Sequence, residues 1–295
     1  MSLVINHNLM AMNASRNLGV SYGRLETSTR RLSSGLRVTR ASDDAAGLAV
    51  RELMRSDIKS LQQGIRNAND GISLIQTADG ALGVIDEKLI RMKELAMQAS
   101  TGTYNSDQRL IIDSEYQAMA SEITRIANST DFNGIYLLNG NLSGATHDGS
   151  GLKASGKLKV HFGTGNDCSE DYYYIQINTA TASALGVGLG ATGSAGRSIS
   201  TQELAQKSLD VLNKAIISKD KIRANLGALQ NRLENTVTVL GIQAENVQAA
   251  ESRISDVDVA SEMTEFVRNQ ILTQSAVSML AQANSMPRMA LSLLG

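Results

Sequence analysis

A single proline stands in 295 residues, Pro287, near the very end of the chain. Proline disfavours a helix interior because its ring removes an N–H and crowds the preceding turn, so nothing upstream of it is forbidden to be helical on that account. The apolar content points the same way. Hydrophobic residues make up 42% of the chain, yet there is no Trp, with 3 Phe and 7 Tyr. What remains is Ala, Leu, Ile, Val and Met, the material of narrow helix seams and not of thick aromatic cores. The expected class is mainly α: a long antiparallel helical bundle or coiled coil, with a small β-hairpin and with N- and C-terminal helices paired.

Apolar spacing supplies the elements. Between about Asp43 and Ser100, Ile58, Leu61, Ile65, Ala68, Ile72, Ile75 and Leu82 form one stripe. It shifts phase after Asp79 and continues through Ile85, Leu89, Met92, Ala96 and Ala99, the drift expected when the period is nearer 3.6 than 3.5. A break at Thr101-Gly102-Thr103 precedes Ile112, Tyr116, Met119, Ile123 and Ile126, which predicts a helical hairpin. A third long stripe holds Ile222, Leu226, Leu229, Leu233, Thr236, Leu240 and Val247. The span 131–200 is instead rich in Gly, Ser, Thr and Asn. Within it Lys157–Phe162 and Tyr172–Ile177 read as the two strands of one hairpin across a Gly-rich turn, and Gly186–Gly196 reads as a surface loop.

Two terminal arms remain. Leu18, Tyr22, Leu25, Thr29, Leu32 and Leu36 step by four and three, and Val259, Met263, Phe266, Val277 and Leu280 suggest a comparable face at the other end. A helix of that length would run about 60 Å, too long to fold into a compact core. Two arms pair most simply with each other. That still leaves Leu3, Val4, Ile5, Leu9, Met10, Leu291, Leu293 and Leu294 uncovered, so the missing burial is expected from other copies.

Several functions are disfavoured. With 28 Lys+Arg against 29 Asp+Glu, the formal net charge is −1, without the basic footprint of a nucleic-acid binder. No stretch has the length of a membrane span, and the start lacks the basic and apolar regions of a Sec signal. One cysteine, Cys168, excludes an intrachain disulfide framework, and its acidic neighbours argue against a reactive thiolate. His7, His147 and His161 are scattered, with no metal-ligand or catalytic spacing. No cofactor and no enzymatic activity are expected.

Longer strings carry a family likeness. Arg31-Leu32-Ser33-Ser34-Gly35-Leu36-Arg37, then Ala41-Ser42-Asp43-Asp44-Ala45-Ala46-Gly47, closely resemble the N-terminal signature of bacterial flagellins. So do Arg66-Asn67-Ala68-Asn69-Asp70-Gly71, Asp131-Phe132-Asn133-Gly134, Ala250-Glu251-Ser252-Arg253-Ile254 and Met279-Leu280-Ala281-Gln282-Ala283-Asn284. The resemblance implies a subunit that polymerises into the flagellar filament for swimming, at work outside the cell after secretion by the flagellar type III route. The alternative is a hook-filament junction protein, which shares such termini. It implies a terminal paired-helix domain of residues 1–43 and 256–295 lining the filament's inner tube, and a helical domain of 44–255 with its hairpin region at about 139–200. No large outer variable domain has room.

The same likeness nominates residues. Arg31, Leu32, Leu36, Asp43, Asp44, Met263, Phe266 and Leu280 fall at the polymerisation surface and the joint between the domains. For Asp43 and Asp44 two readings stand together, capping of the following helix and ion pairing between subunits. Leu89–Gln98 resembles the patch recognised by the Toll-like receptor that senses flagellin, which implicates Arg91, Leu95 and, on the facing helix, Glu115. Implied partners are other copies of the chain, the flagellar cap, hook-junction proteins, an export chaperone and the type III export apparatus, with no nucleic acid and no membrane.

Overall fold

The structure, a computed structural model, describes residues 7–148, 155–167, 170–188 and 195–292. Cys168 and the terminal apolar residues Leu3, Val4, Ile5, Leu293 and Leu294 lie outside them. The described residues form five helices and six short strands. Contacts divide the chain into one unit of residues 1–58 with 245–295 and another of 59–244.

The second unit is built on α2 (Ala45–Ala99), α3 (Ser106–Ser129) and α4 (Gln202–Ser255). The stripes read from the sequence are its core: Ile75, Leu82, Ile85, Leu89 and Met92 of α2 meet Tyr116 and Ile123 of α3 and Leu226 and Leu233 of α4, all buried. Two caps fix the break between α2 and α3. Asn105 accepts from the Gln108 amide (2.8 Å) while the Gln108 side chain accepts from the Asn105 amide (3.1 Å), a complete capping box. Arg109 donates to the Ala99 carbonyl (3.1 Å) and so satisfies an orphan acceptor where α2 ends.

Charge enters this core at one place. The Lys219 ammonium is buried against Asp86 (2.6 Å) and Asp220 (2.8 Å). One turn along α4, Arg223 grips Asp79 through two bonds of 2.7 and 3.1 Å. Both pairs join α2 to α4 and fix their register.

Three antiparallel strand pairs follow α3, where the sequence pointed to one. β1 (Asp131–Phe132) and β2 (Ile135–Tyr136) flank Asn133-Gly134, whose φ values of 52° and 77° suit a two-residue hairpin turn. β3 (His147–Asp148) pairs with β4 (Ser155–Gly156). The expected hairpin is β5 (Leu158–His161) with β6 (Tyr172–Ile175), in register from Leu158 opposite Ile175 to His161 opposite Tyr172. It sits on α2. Asn67 donates to the His161 carbonyl (2.8 Å), and Gly64 is required because a Cβ would collide with the Phe162 carbonyl oxygen.

Of the segment expected to be a surface loop (Gly186–Gly196), Val187, Gly188 and Gly196 are buried while Gly186 and Ala195 are exposed, and residues flanking it are packed. Ala182, Leu185, Val187, Ser198 and Ile199 are buried. The Tyr116 hydroxyl donates to the Gly196 carbonyl (2.6 Å), and Asp113 accepts from the Ile199 amide (2.6 Å). Small residues here serve close approach: a Cβ at Gly188 would meet that of Ala120. Burial and a nearby Asp113 push the Tyr116 phenol well above its ordinary range.

Candidate functional site

The first unit pairs the chain's two ends. Helix α1 (Leu9–Ser34) is capped by Asn8, whose side chain accepts from the Ala11 amide (2.9 Å), and Gly35 ends it at φ 72°. Helix α5 (Val259–Ser292) is capped by Asp258, which accepts from the Ala260 amide (3.0 Å). Asn8 donates to the Ala283 carbonyl (2.7 Å) at one end of the pair, and Arg31 meets Glu262 (3.5 Å) at the other. The helices are therefore antiparallel.

Their seam has a strict three-four rhythm. Ala11, Ala14, Leu18, Ser21, Leu25, Ser28 and Leu32 of α1 face Glu262, Phe266, Asn269, Thr273, Ala276, Leu280 and Ala283 of α5, all buried or half-buried. Much of this seam is small or polar. Ser28, Asn269 and Thr273 are among its most deeply buried members, and Thr273 turns its hydroxyl back to the Asn269 carbonyl (2.7 Å). Large apolar groups point the other way: Leu9, Met12, Val259, Ile271 and Met279 are each more than half exposed. A groove of about 670 Å³ between the helices is lined by Leu9, Met10, Val20, Leu272, Met279 and Met286. The pair is inside-out.

Of the expected arm residues, Leu32, Phe266 and Leu280 are on this seam. Met263 is not. It lies 44% exposed on the outer face with Val259 and Val277, and on α1 Tyr22 is also exposed. The stripes read from sequence had mixed two faces, because α5 carries apolar residues around its whole circumference.

The joint lies where α1 ends and α5 begins. Leu36 bridges Asp256 as a lone antiparallel pair, the Arg37 amide donates to the Ser255 carbonyl (2.7 Å), and the Val257 amide donates to the Gly35 carbonyl (3.0 Å). The Arg37 guanidinium adds a bond to the Ile254 carbonyl (2.7 Å). Asp43 organises the turn before α2: it accepts from the Thr39 hydroxyl (2.9 Å) and from the Thr39 and Arg40 amides, and pairs with Arg30 (3.2 Å). The Thr39 hydroxyl bond foremost holds the Asp43 carboxyl below its ordinary value, with the two amides and Arg30 adding to it against a cost of burial. Asp44 accepts from the Gly47 amide (2.9 Å) and caps α2. Two buried polar atoms at this joint, Arg31 Nε and Ser255 Oγ, have no hydrogen-bond partner among the described residues.

In the second unit, Arg91 donates to Glu115 through Nε (3.0 Å) and Nη2 (2.8 Å) and also pairs with Glu94 (3.0 Å). These bonds raise the Arg91 pKa further, with Glu115 the larger cause. Arg91 and Glu115 are both close to half exposed. Leu95 is not part of this surface. At 1% exposure it belongs to the core, so it cannot serve as an apolar anchor for a receptor. The exposed apolar groups on this stretch of α2 are Ile90 and Met97. No helix among the described residues is long and apolar enough to cross a membrane.

A helix pair that turns small and polar groups inward and large apolar groups outward, closed by a backbone clasp, defines a subunit built to be completed by other copies. Comparison with known proteins gives the family. The bacterial flagellin N-terminal helical region matches residues 5–143, and the C-terminal helical region matches 209–294. Flagellin FlaB1 of Treponema pallidum (strain Nichols) is 43% identical over 292 residues, covering 99% of this chain and all of that one. The flagellin of Halalkalibacterium halodurans is 41% identical over 292 residues, with the same coverage. A solved chain from Vibrio parahaemolyticus, described as a flagellar hook-associated protein, superposes with a TM-score of 0.55 over 72% of this chain and all of its own, at 14% identity, which shows a shared fold alone. The chain belongs to the bacterial flagellin family. It is a structural subunit of the flagellar filament and not an enzyme.

Proposed function

We propose that copies of this chain polymerise by burying the outer apolar faces of α1 and α5 against one another, producing a filament that transmits motor torque as a propeller. The inside-out terminal pair carries this reading. Apolar area is costly to leave in water, about 25 cal/mol per Å², and repeated contacts between unlike faces generate an open helix. In this assignment residues 1–43 and 256–295 form the terminal paired-helix domain of the inner tube and 44–255 the helical domain. Met263 contacts neighbouring copies, Leu32, Phe266 and Leu280 hold the pair together, and Arg31, Leu36, Asp43 and Asp44 hold the joint.

The same outer faces suit the remaining partners. Cap and hook-junction proteins meet the filament's ends through the surfaces its subunits offer one another, and an export chaperone shields the apolar face of α5 before secretion through the flagellar type III apparatus. Arg91 and Glu115 offer a charged surface to the Toll-like receptor that senses flagellin, without Leu95; reporter cells treated with Arg91→Ala protein should respond more weakly than to wild type. The assembly reading is tested by Met263→Glu with Ile271→Glu. Both side chains are exposed, so circular dichroism of the monomer should be unchanged, while sedimentation and electron microscopy should find no long filaments. Normal filaments would sink it.

A further inference from the structure

The side of the larger hairpin turned away from the core has features that none of the roles proposed above draws on. Along and beyond β6, alternation puts Tyr172, Tyr174, Gln176 and Asn178 on one side, while Tyr173, Ile175 and Ile177 pack into the core. The Tyr172 and Tyr174 rings meet edge-on at 5.4 Å between centroids, and Tyr174 is 40% exposed. Across a cleft of about 470 Å³, Asn225 and Arg232 of α4 face Tyr174, Gln176 and Asn178, a volume within the range of small-molecule sites. The Asn178 and Asn225 side chains are exposed and make no hydrogen bond among the described residues.

Two cations border this strip, and among the described residues neither has a carboxylate partner. The Lys159 ammonium lies 3.6 Å above the Tyr172 ring, and the Arg232 guanidinium 3.6 Å above that of Tyr173. Stacking on a ring leaves the edge donors of a guanidinium available for a bidentate carboxylate. The exposed Tyr174 ring offers a π face to the C–H bonds of a pyranose. Two unbonded amides nearby offer both donors and acceptors to its hydroxyls.

We propose that this strip binds an acidic saccharide, with a sugar ring against Tyr174, hydroxyls on Asn178 and Asn225, and a carboxylate on Arg232. The inference does not depend on how the chain assembles. Isothermal titration of the full-length chain with an oligoglucuronate, a neutral gluco-oligosaccharide of equal length and an oligoglutamate of equal charge tests it. The oligoglucuronate should bind at least about tenfold more tightly than either control, a difference of about 1.4 kcal/mol. Tyr174→Ala, Arg232→Gln and Asn225→Asp should each weaken it several-fold. Asn225→Asp is the decisive variant, since it changes one exposed atom group, leaves the packing alone and sets a negative charge against the ligand's. Equal binding of either control, no binding of the oligoglucuronate, or a titration unaltered by Asn225→Asp would overturn the proposal.

Discussion

Lys219 is the one buried ammonium among the described residues, and its surroundings decide what its substitution does. Removing a partner and removing the charge are different operations. Asp86→Ala leaves Lys219 with only the more exposed Asp220 and should cost about 2 kcal/mol, because a buried charge loses part of its compensation. Lys219→Met removes the charge while keeping the volume, and Asp86 can turn to water; its stability should fall within about 1 kcal/mol of wild type or exceed it. Chemical denaturation of both variants checks the order, and a Lys219→Met loss larger than that of Asp86→Ala would refute it. Asp79 gives a pH signature beside it. Its carboxyl is held below the ordinary value of 3.8, chiefly by the Arg223 hydrogen bonds. A lowered folded value means that the stabilising contribution is complete above 3.8 and disappears as pH falls through the folded value. The gap between wild type and Asp79→Asn should therefore be constant at neutral pH and close in acid. Both side chains are over a third exposed, so the gap should stay under about 1 kcal/mol.

At the scale of elements, the seam of α1 and α5 is held by few large side chains, which makes each of them count. Leu280→Asp puts a carboxylate among Ala276, Ala283 and the facing α1 residues, at a cost of about 2 kcal/mol or more. Filaments should fail to form in sedimentation while circular dichroism still reports the α2–α3–α4 core; normal polymerisation would remove the seam from the account. This element also shows where sequence reading stops. Stripes in α2, α3 and α4 were legible because one face of each is apolar and the opposite face polar. In α5 the apolar residues surround the helix, so spacing alone could not separate Phe266 and Leu280, which face in, from Met263 and Val277, which face out. The seam's most buried members include Ser28, Asn269 and Thr273, residue types that an apolar-periodicity search passes over. Leu95 failed for a related reason: the likeness of Leu89–Gln98 to a receptor patch nominated it, but the buried stripe through Met92, Ala96 and Ala99 was the stronger indication. The two smallest strand pairs rest on two residues each, too little for any periodicity, although Asn133-Gly134 is a hairpin signal in its own right.

For the whole molecule, the division into units predicts uneven protection. Residues 59–244 have a shared apolar core, whereas α1 and α5 hold each other through a thin seam and turn Leu9, Met12, Ile271 and Met279 outward. Amide exchange in α1 and α5 of the monomer should be much faster than in α2, α3 and α4, and should slow by orders of magnitude on polymerisation, when those faces leave water. Equal exchange in monomer and filament would show that the terminal pair is already complete within one chain.

The ladder at Leu36 and Asp256 makes the chain between those residues an excursion that departs from and returns to a single point. The entropy of closing such a circuit grows only with the logarithm of its length, so doubling it costs about 0.6 kcal/mol. Extra residues in the loops between α3 and α4 leave the helical core, and the departure and return points, where they were. A gene encoding this architecture can therefore lengthen, shorten or rewrite its middle while the two ends keep offering neighbours the same surface, which separates the part of the protein that must agree with other copies from the part that is free to answer to its surroundings.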